Sequence, residues 1–188
     1  MGASEPKRMY TAGDRLLKLS ENAVRYPISS YLTRNMTSRD DIKIVLITKK
    51  NNYSEKNITD VKNEIKEINK DINANVEIKE VYELTDSSLL LRTTLNTILE
   101  EIDEDCLLYA DLTFADQTDM MLAMSAISIA EKQLGAIIEK IMYGSATGTD
   151  TGVAKDITSF YLLQTIAGGI CRENTDEARQ VLKELLTM

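Results

Sequence analysis

Histidine and tryptophan are absent from the 188 residues. Without histidine there is no Ser-His-Asp or Cys-His nucleophile pair and no His-ligated zinc site. Cysteine is reduced to Cys106 and Cys171, far apart in the chain. They form neither a CxxC motif nor a disulfide framework, and both thiols read as buried structural residues. With only two prolines, long Pro-rich linkers are excluded. No apolar run approaches the roughly 20 residues a transmembrane helix needs. The opening Met1-Gly2-Ala3-Ser4-Glu5-Pro6 lacks the apolar stretch of a signal peptide. A soluble, cytoplasmic protein is expected, with membrane association only through a segment outside this sequence. Basic residues are outnumbered 22 to 30, for a net charge of −8. That argues against binding duplex nucleic acid, yet a few lysines and helix N-terminal amides still suffice for a small anion. No metal or cofactor motif is present.

What is there is the length of one α/β domain, with apolar strands alternating with amphipathic stretches. Ile42 to Thr48 is β-branched and exits through Lys49-Lys50-Asn51-Asn52. Ser54 to Asp71 carries Ile58, Val61, Ile65, Ile68 and Ile72 at helical spacing. Val76 to Leu84 alternates as a strand. Asp86 or Ser87 can cap a helix running to Ile102. Asp105 to Thr113 reads as a buried central strand and Asp116 to Leu134 as a Met-rich core helix ended by Gly135. Ala136 to Tyr143 is a further strand, and Gly144 to Gly152 a loop rich in Gly, Thr and Ser, its Thr147 to Gly152 part mobile. Helices follow over Ile157 to Ile170 and Thr175 to Leu186. This order predicts a Rossmann-like α/β fold, with a mostly parallel sheet and helices on both faces. One domain is expected over 1–188: an opening strand, loop and helix in 1–41, a core in 42–170 and a C-terminal helix in 171–188.

Such folds bind ligands beyond the carboxyl ends of their strands. The loops after Thr48, Leu84, Thr113 and Tyr143, and the opening segment with Thr11 and Gly13, are therefore the places to look. No Gly-x-Gly-x-x-Gly or Walker A motif occurs, and Thr147 to Gly152 has the wrong glycine spacing for a phosphate cradle. The most informative stretch is Tyr109-Ala-Asp-Leu-Thr-Phe-Ala-Asp-Gln. Asp111 and Thr113, at i and i+2, project from one face of a strand end just before a helix. One reading places an anion against the Thr113 hydroxyl and the amides of Ala115 to Thr118. The other makes Asp111 a buried tie between loops and Asp116 an N-cap.

Asp111-Leu112-Thr113-Phe114 resembles the Asp-x-Thr-(His/Phe/Tyr)-Gly-x-(Arg/Lys) motif of the CRISPR-associated Rossmann-fold (CARF) domains. Ala115 stands in place of the glycine and Gln117 in place of the basic residue. A second likeness follows in Tyr143-Gly144-Ser145, a gap, and Asp156-Ile157-Thr158. The resemblance spans about Ile42 to Ile170. It implies a sensor of cyclic oligoadenylate in type III CRISPR antiviral defence, with tetra-adenylate the favoured ring. A homodimer would join the strand-end loops of two chains into one pocket. The implied ligand-binding residues are Thr11, Gly13, Lys49, Lys50, Asp111, Thr113, Phe114, Ala115, Asp116, Gln117, Tyr143, Gly144 and Ser145. An effector, fused or separate, would lie outside this chain. Two alternatives stand beside the sensor. One is a metal-independent ring nuclease using Gln117 and Ser145; the other is an unrelated Rossmann-like nucleotide-binding protein.

Overall fold

A computed structural model describes residues 5–13, 17–49, 52–82 and 88–170. Six strands and five helices alternate in it, except that β6 follows β5 directly. They are β1 (Met9–Ala12), α1 (Pro27–Asn35), β2 (Asp41–Thr48), α2 (Asn52–Ile72), β3 (Asn75–Tyr82), α3 (Ser88–Glu100), β4 (Leu107–Asp111), α4 (Gln117–Gln133), β5 (Ile137–Ala146), β6 (Thr151–Asp156) and α5 (Thr158–Ile170). Three of the four strand pairings are parallel, β2 with β3, β4 with β5 and β1 with β6; only β5 and β6 pair antiparallel. The fold is α/β and Rossmann-like, with a mostly parallel sheet. Helices cover both faces of the larger sheet. Ile28 and Tyr31 of α1 pack with Tyr10, Met142 and Ala154. On the other face, Ile127 of α4 and Tyr161 of α5 pack with Leu112 and Ile141.

The strands do not form one continuous ladder. β1-β6-β5-β4 make one sheet and β2-β3 another. Side chains join them. Lys43 Nζ of β2 lies 2.6 Å from Asp103 Oδ1, ahead of β4, and Lys49, past the end of β2, reaches Asp116, beyond β4. α4 bridges the two sheets from above. Its Ala126 packs into the core of Val45, Ile47, Val81 and Ile98, while the adjacent Ile127 packs over β4 and β5. Successive residues of one helix thus serve two cores.

Two expectations need correction. Asp105 to Thr113 is not a central strand: β4 ends its sheet, and Leu107 is 56% and Tyr109 40% exposed. The continuous apolar run read as interior because the sequence does not encode which neighbour is missing. Gly144 to Gly152 is not one loop either: only 147–150 lie between strands. β5 continues to Ala146 and turns into β6, with Thr147 N–H donating to Thr151 O at 3.0 Å. The inward positions of this hairpin are Gly144, Gly152 and Ala154, all buried, and too small to register as an apolar period. They are small for a reason: a Cβ on Gly152 would come within 2.7 Å of the Tyr10 ring.

Gly135 follows α4 with φ +70°, the left-handed conformation expected after a helix. A Cβ there would run into the Asp105 carboxylate. The proposed cap at Asp86 or Ser87, Cys171 and the helix from Thr175 to Leu186 lie outside the described residues. Cys106 is half-buried, and burial pushes its thiol up. Among the described residues no helix is long and apolar enough to cross a membrane.

Candidate functional site

The centre of the strand-end region is a clasp built on Asp111. The chain turns sharply after β4, and Asp111 Oδ1 accepts hydrogen bonds from the Thr113 N–H at 2.9 Å and from the Thr113 hydroxyl. This is the local turn that an Asp with a hydroxyl residue two positions on favours. Oδ2 accepts the Ile28 N–H of α1 at 2.9 Å. A carboxylate at the first turn of α1 complements the helix dipole. The Thr113 hydroxyl oxygen accepts the Gly144 N–H of β5, also at 2.9 Å. Three chain segments meet at two side chains.

Gly144 is required where it stands. A Cβ there would lie 2.6 Å from Pro27 Cγ and 3.0 Å from Thr113 Oγ1. Such a contact cannot be absorbed without moving α1 or the clasp.

The second Asp-x-Thr repeats this geometry at the end of β6. Asp156 Oδ1 accepts from the N–H and hydroxyl of Thr158, and the Thr158 hydroxyl accepts the Ile141 N–H at 2.8 Å. β5 is therefore clasped twice, at Ile141 and at Gly144. The two carboxyls shift in opposite directions. Burial raises Asp111 above the usual carboxylate range and outweighs its hydrogen bonds, all from neutral donors. Asp156 is also penalised by burial, but Lys140 Nζ at 2.6 Å, with Thr158, outweighs that and holds it low.

Beyond the clasp, Phe114 is 47% exposed and stands at right angles to Tyr26, with ring centroids 5.2 Å apart. Ala115 N–H returns to Leu112 O at 3.3 Å, so its amide serves the turn. Asp116 is the N-cap of α4. Its Oδ1 accepts the N–H groups of Thr118 at 2.8 Å and Asp119 at 3.0 Å, and Asp119 returns the bond to complete a capping box. Lys49 binds Asp116 and lies 3.7 Å from Asp119 Oδ2. The hydrogen bond from the Lys49 ammonium, aided by the Asp119 amide, holds the Asp116 carboxyl below its ordinary value. Gln117 opens α4 on the exposed side.

Eight of the expected residues thus converge: Lys49, Asp111, Thr113, Phe114, Ala115, Asp116, Gln117 and Gly144. Lys50 lies outside the described residues. Tyr143 and Ser145 flank Gly144 and, by alternation along the strand, project to the opposite face of β5. Thr11 and Gly13 do not join the group. They flank Ala12, which lies level with Gly144 but two strands away, with Ala154 of β6 between them. The Thr11 hydroxyl meets Gly152 O at 3.4 Å, and Gly13 N–H meets Ala154 O at 2.7 Å.

Sequence reasoning missed Tyr26, Pro27 and Ile28, which close the site from the α1 side. The available signal was Tyr-Pro ahead of a helical stretch, since Pro favours the first helical position. It also missed Arg25, whose backbone N–H and guanidinium are both taken by Glu64 of α2. Glu64 is one of few buried charged residues, and this fixes where the chain enters α1.

Chemically, the amides read as facing an anion at α4 already serve the chain: that of Ala115 donates to the Leu112 carbonyl, that of Asp116 to Asp119 and that of Thr118 to Asp116. The cation beside them is Lys49, bound to Asp116. An incoming phosphate must exchange with Asp116, not fill an open cradle. No family model matches the chain, and no curated protein matches it significantly.

Proposed function

We propose that this chain is a CARF-type sensor that binds cyclic oligoadenylate at a homodimer interface and controls an effector in type III CRISPR defence. The observation that carries the reading is the join between its two motif segments. Asp111-x-Thr113 and Tyr143-Gly144 are apart in sequence, yet the Gly144 N–H to Thr113 hydroxyl bond fastens them at the carboxyl ends of β4 and β5. That is where open α/β sheets take ligands.

Lys49 leaves Asp116 for a ligand phosphate, and the exposed ring of Phe114 receives a base. A cyclic ligand of even symmetry suits an isologous pair of such sites. Tetra-adenylate is the ring of choice, and the cytoplasm the place where such a sensor meets it.

A thermal-shift panel tests this with cyclic tri-, tetra- and hexa-adenylate against NAD, ATP and S-adenosylmethionine. One cyclic ring should raise the melting temperature in a concentration-dependent way. Light scattering should show a dimer at tens of micromolar. A strictly monomeric protein that responds to none of the rings refutes the reading.

A further inference from the structure

We infer that the face of β1 and β6 turned away from α1 is a docking surface for this chain's own residues 171–188, which pack on it as a helix beside α5. The inference goes beyond the sensor reading and does not depend on it. The face follows from register. Thr11, Val153 and Ser145 form one row across β1, β6 and β5, and Tyr143 pairs with Lys155 in the next such row. These residues share one side of the sheet, with Met9 joining them by alternation. On the opposite side Tyr10, Met142 and Ala154 are buried under α1. On this side Val153 is half-buried and the other five are exposed. β1 and β6 pair parallel, and parallel strands are ordinarily covered on both faces. Among the described residues one cover is in place and the other is missing.

α5 stands at the border of this face. Tyr161 anchors it in the core with Leu112 and Ile141 and donates its hydroxyl to Glu131 of α4 at 2.7 Å. Gln164 and Thr165 line a groove with Met124 and Ser128 of α4. Leu162 and Ile166 come about 100° and 140° round the helix from Tyr161, on the flank away from α4. Because α4 lies over β4 and β5, that flank looks toward β6 and β1. Both side chains are exposed, an apolar pair one turn apart. Residues 171–188 follow α5 directly. The sequence predicts a helix over Thr175 to Leu186, with Ala178, Val181, Leu182 and Leu185 in one stripe and Arg179, Lys183 and Glu184 off it. A stripe of that kind needs a surface to be buried on. Residues 171–174 give a connection of the length that joins antiparallel helices. A helix over Thr175 to Leu186 spans about 18 Å, close to the length of α5. Docked there, the stripe covers Leu162, Ile166, Val153 and Met9 together. Thr11, Tyr143 and Ser145 then meet this segment, which gives those implied ligand residues a packing role.

The test is limited trypsin digestion of the full chain, with cleavage after Arg179 followed by mass spectrometry. Arg179 should be cut about tenfold or more slowly than in a free peptide of residues 171–188, because cleavage samples only the undocked population. Ile166→Asp and Met9→Asp should each speed that cleavage by about tenfold. Leu185→Asp should do the same from the other partner, and it leaves the sheet untouched, so the test survives if Met9→Asp fails to fold. Phe160→Asp, on the opposite flank of α5, should stay within about twofold of the wild type. Circular dichroism confirms that each variant is folded. Cleavage of the wild type at the rate of the free peptide overturns the inference. So does protection that folded Ile166→Asp leaves unchanged, or that Phe160→Asp abolishes equally. Protection that grows with protein concentration also overturns it, since the segment of a second copy is then the occupant.

Discussion

Thr113 uses its hydroxyl in two directions, and Thr113→Val removes both while keeping the shape of the side chain. The Gly144 N–H loses its acceptor in a buried strand, which costs about 1–3 kcal/mol. Asp111 keeps the Ile28 and Thr113 amides but loses its third donor, about 1 kcal/mol more. A destabilisation of about 3 kcal/mol is expected, and for a chain of this size the melting temperature falls by about 6–12 °C. Thr113→Ser keeps the hydroxyl and stays within about 1 kcal/mol of the wild type. Urea unfolding followed by circular dichroism gives the difference directly, and the slope of the transition should not change. Thr158→Val provides an internal standard, because it breaks the matching bond to Ile141. A Thr113→Val protein within about 0.5 kcal/mol of wild type would refute the clasp as a stabilising element.

Gly144→Ala should cost about 1–3 kcal/mol by forcing Pro27 and Thr113 apart, as read by the same urea midpoint. The Asp156 carboxyl, held low, contributes stability that is present above its ordinary value of 3.8 and lost as pH falls through its native value. Lys140→Met should therefore flatten the loss of stability seen in urea titrations between about pH 5 and pH 2. Asp111, held high, has the opposite sign: its contribution is full below 3.8 and disappears as pH rises through its native value. The gap between wild type and Asp111→Asn should accordingly be wider at acid pH than at neutral pH. Cyclic tetra-adenylate should be recovered intact after long incubation with stoichiometric protein, because Gln117 brings no charge to a developing oxyanion. Chromatography showing a linear product with a 2′,3′-cyclic phosphate would contradict that, and Gln117→Arg tests whether charge alone is missing.

The parts of the fold legible in the sequence were those whose inward positions carry large side chains. Ile58 and Ile65 announced α2 by their helical spacing, and the Ile-Lys-Ile-Val-Leu-Ile run announced β2 by its β-branched, nearly continuous apolar character. β6 was hidden because Gly152 and Ala154 fill its inward positions, and that choice answers to Tyr10, which lies about three-quarters of the chain away. At the site, Asp111 and Thr113 stood out by spacing. Their partners did not, since the Ile28 and Gly144 groups involved are backbone amides, which no side chain advertises. The sequence left two readings of Asp111 and Asp116 open. The geometry shows that both residues tie and cap, as the structural reading had it, so a ligand has to compete with those roles.

The pairing of β1 with β6 joins segments such as Thr11 and Gly152 that are 141 residues apart. On a ribosome adding roughly 5–20 residues per second, the first strand made waits about 7–30 s for its neighbour. In that interval Tyr10 has neither Gly152 nor Ala154 to lie against, and an unpaired strand end is exposed to other nascent chains. Most of the sheet depends on nearer partners, with α4 alone between β4 and β5 and a short turn between β5 and β6. Folding should thus run in the reverse of synthesis at this edge. β4, β5 and β6 assemble as a local unit, and the opening strand docks last, in a step whose rate is set by loop closure rather than by chemistry at the strand ends.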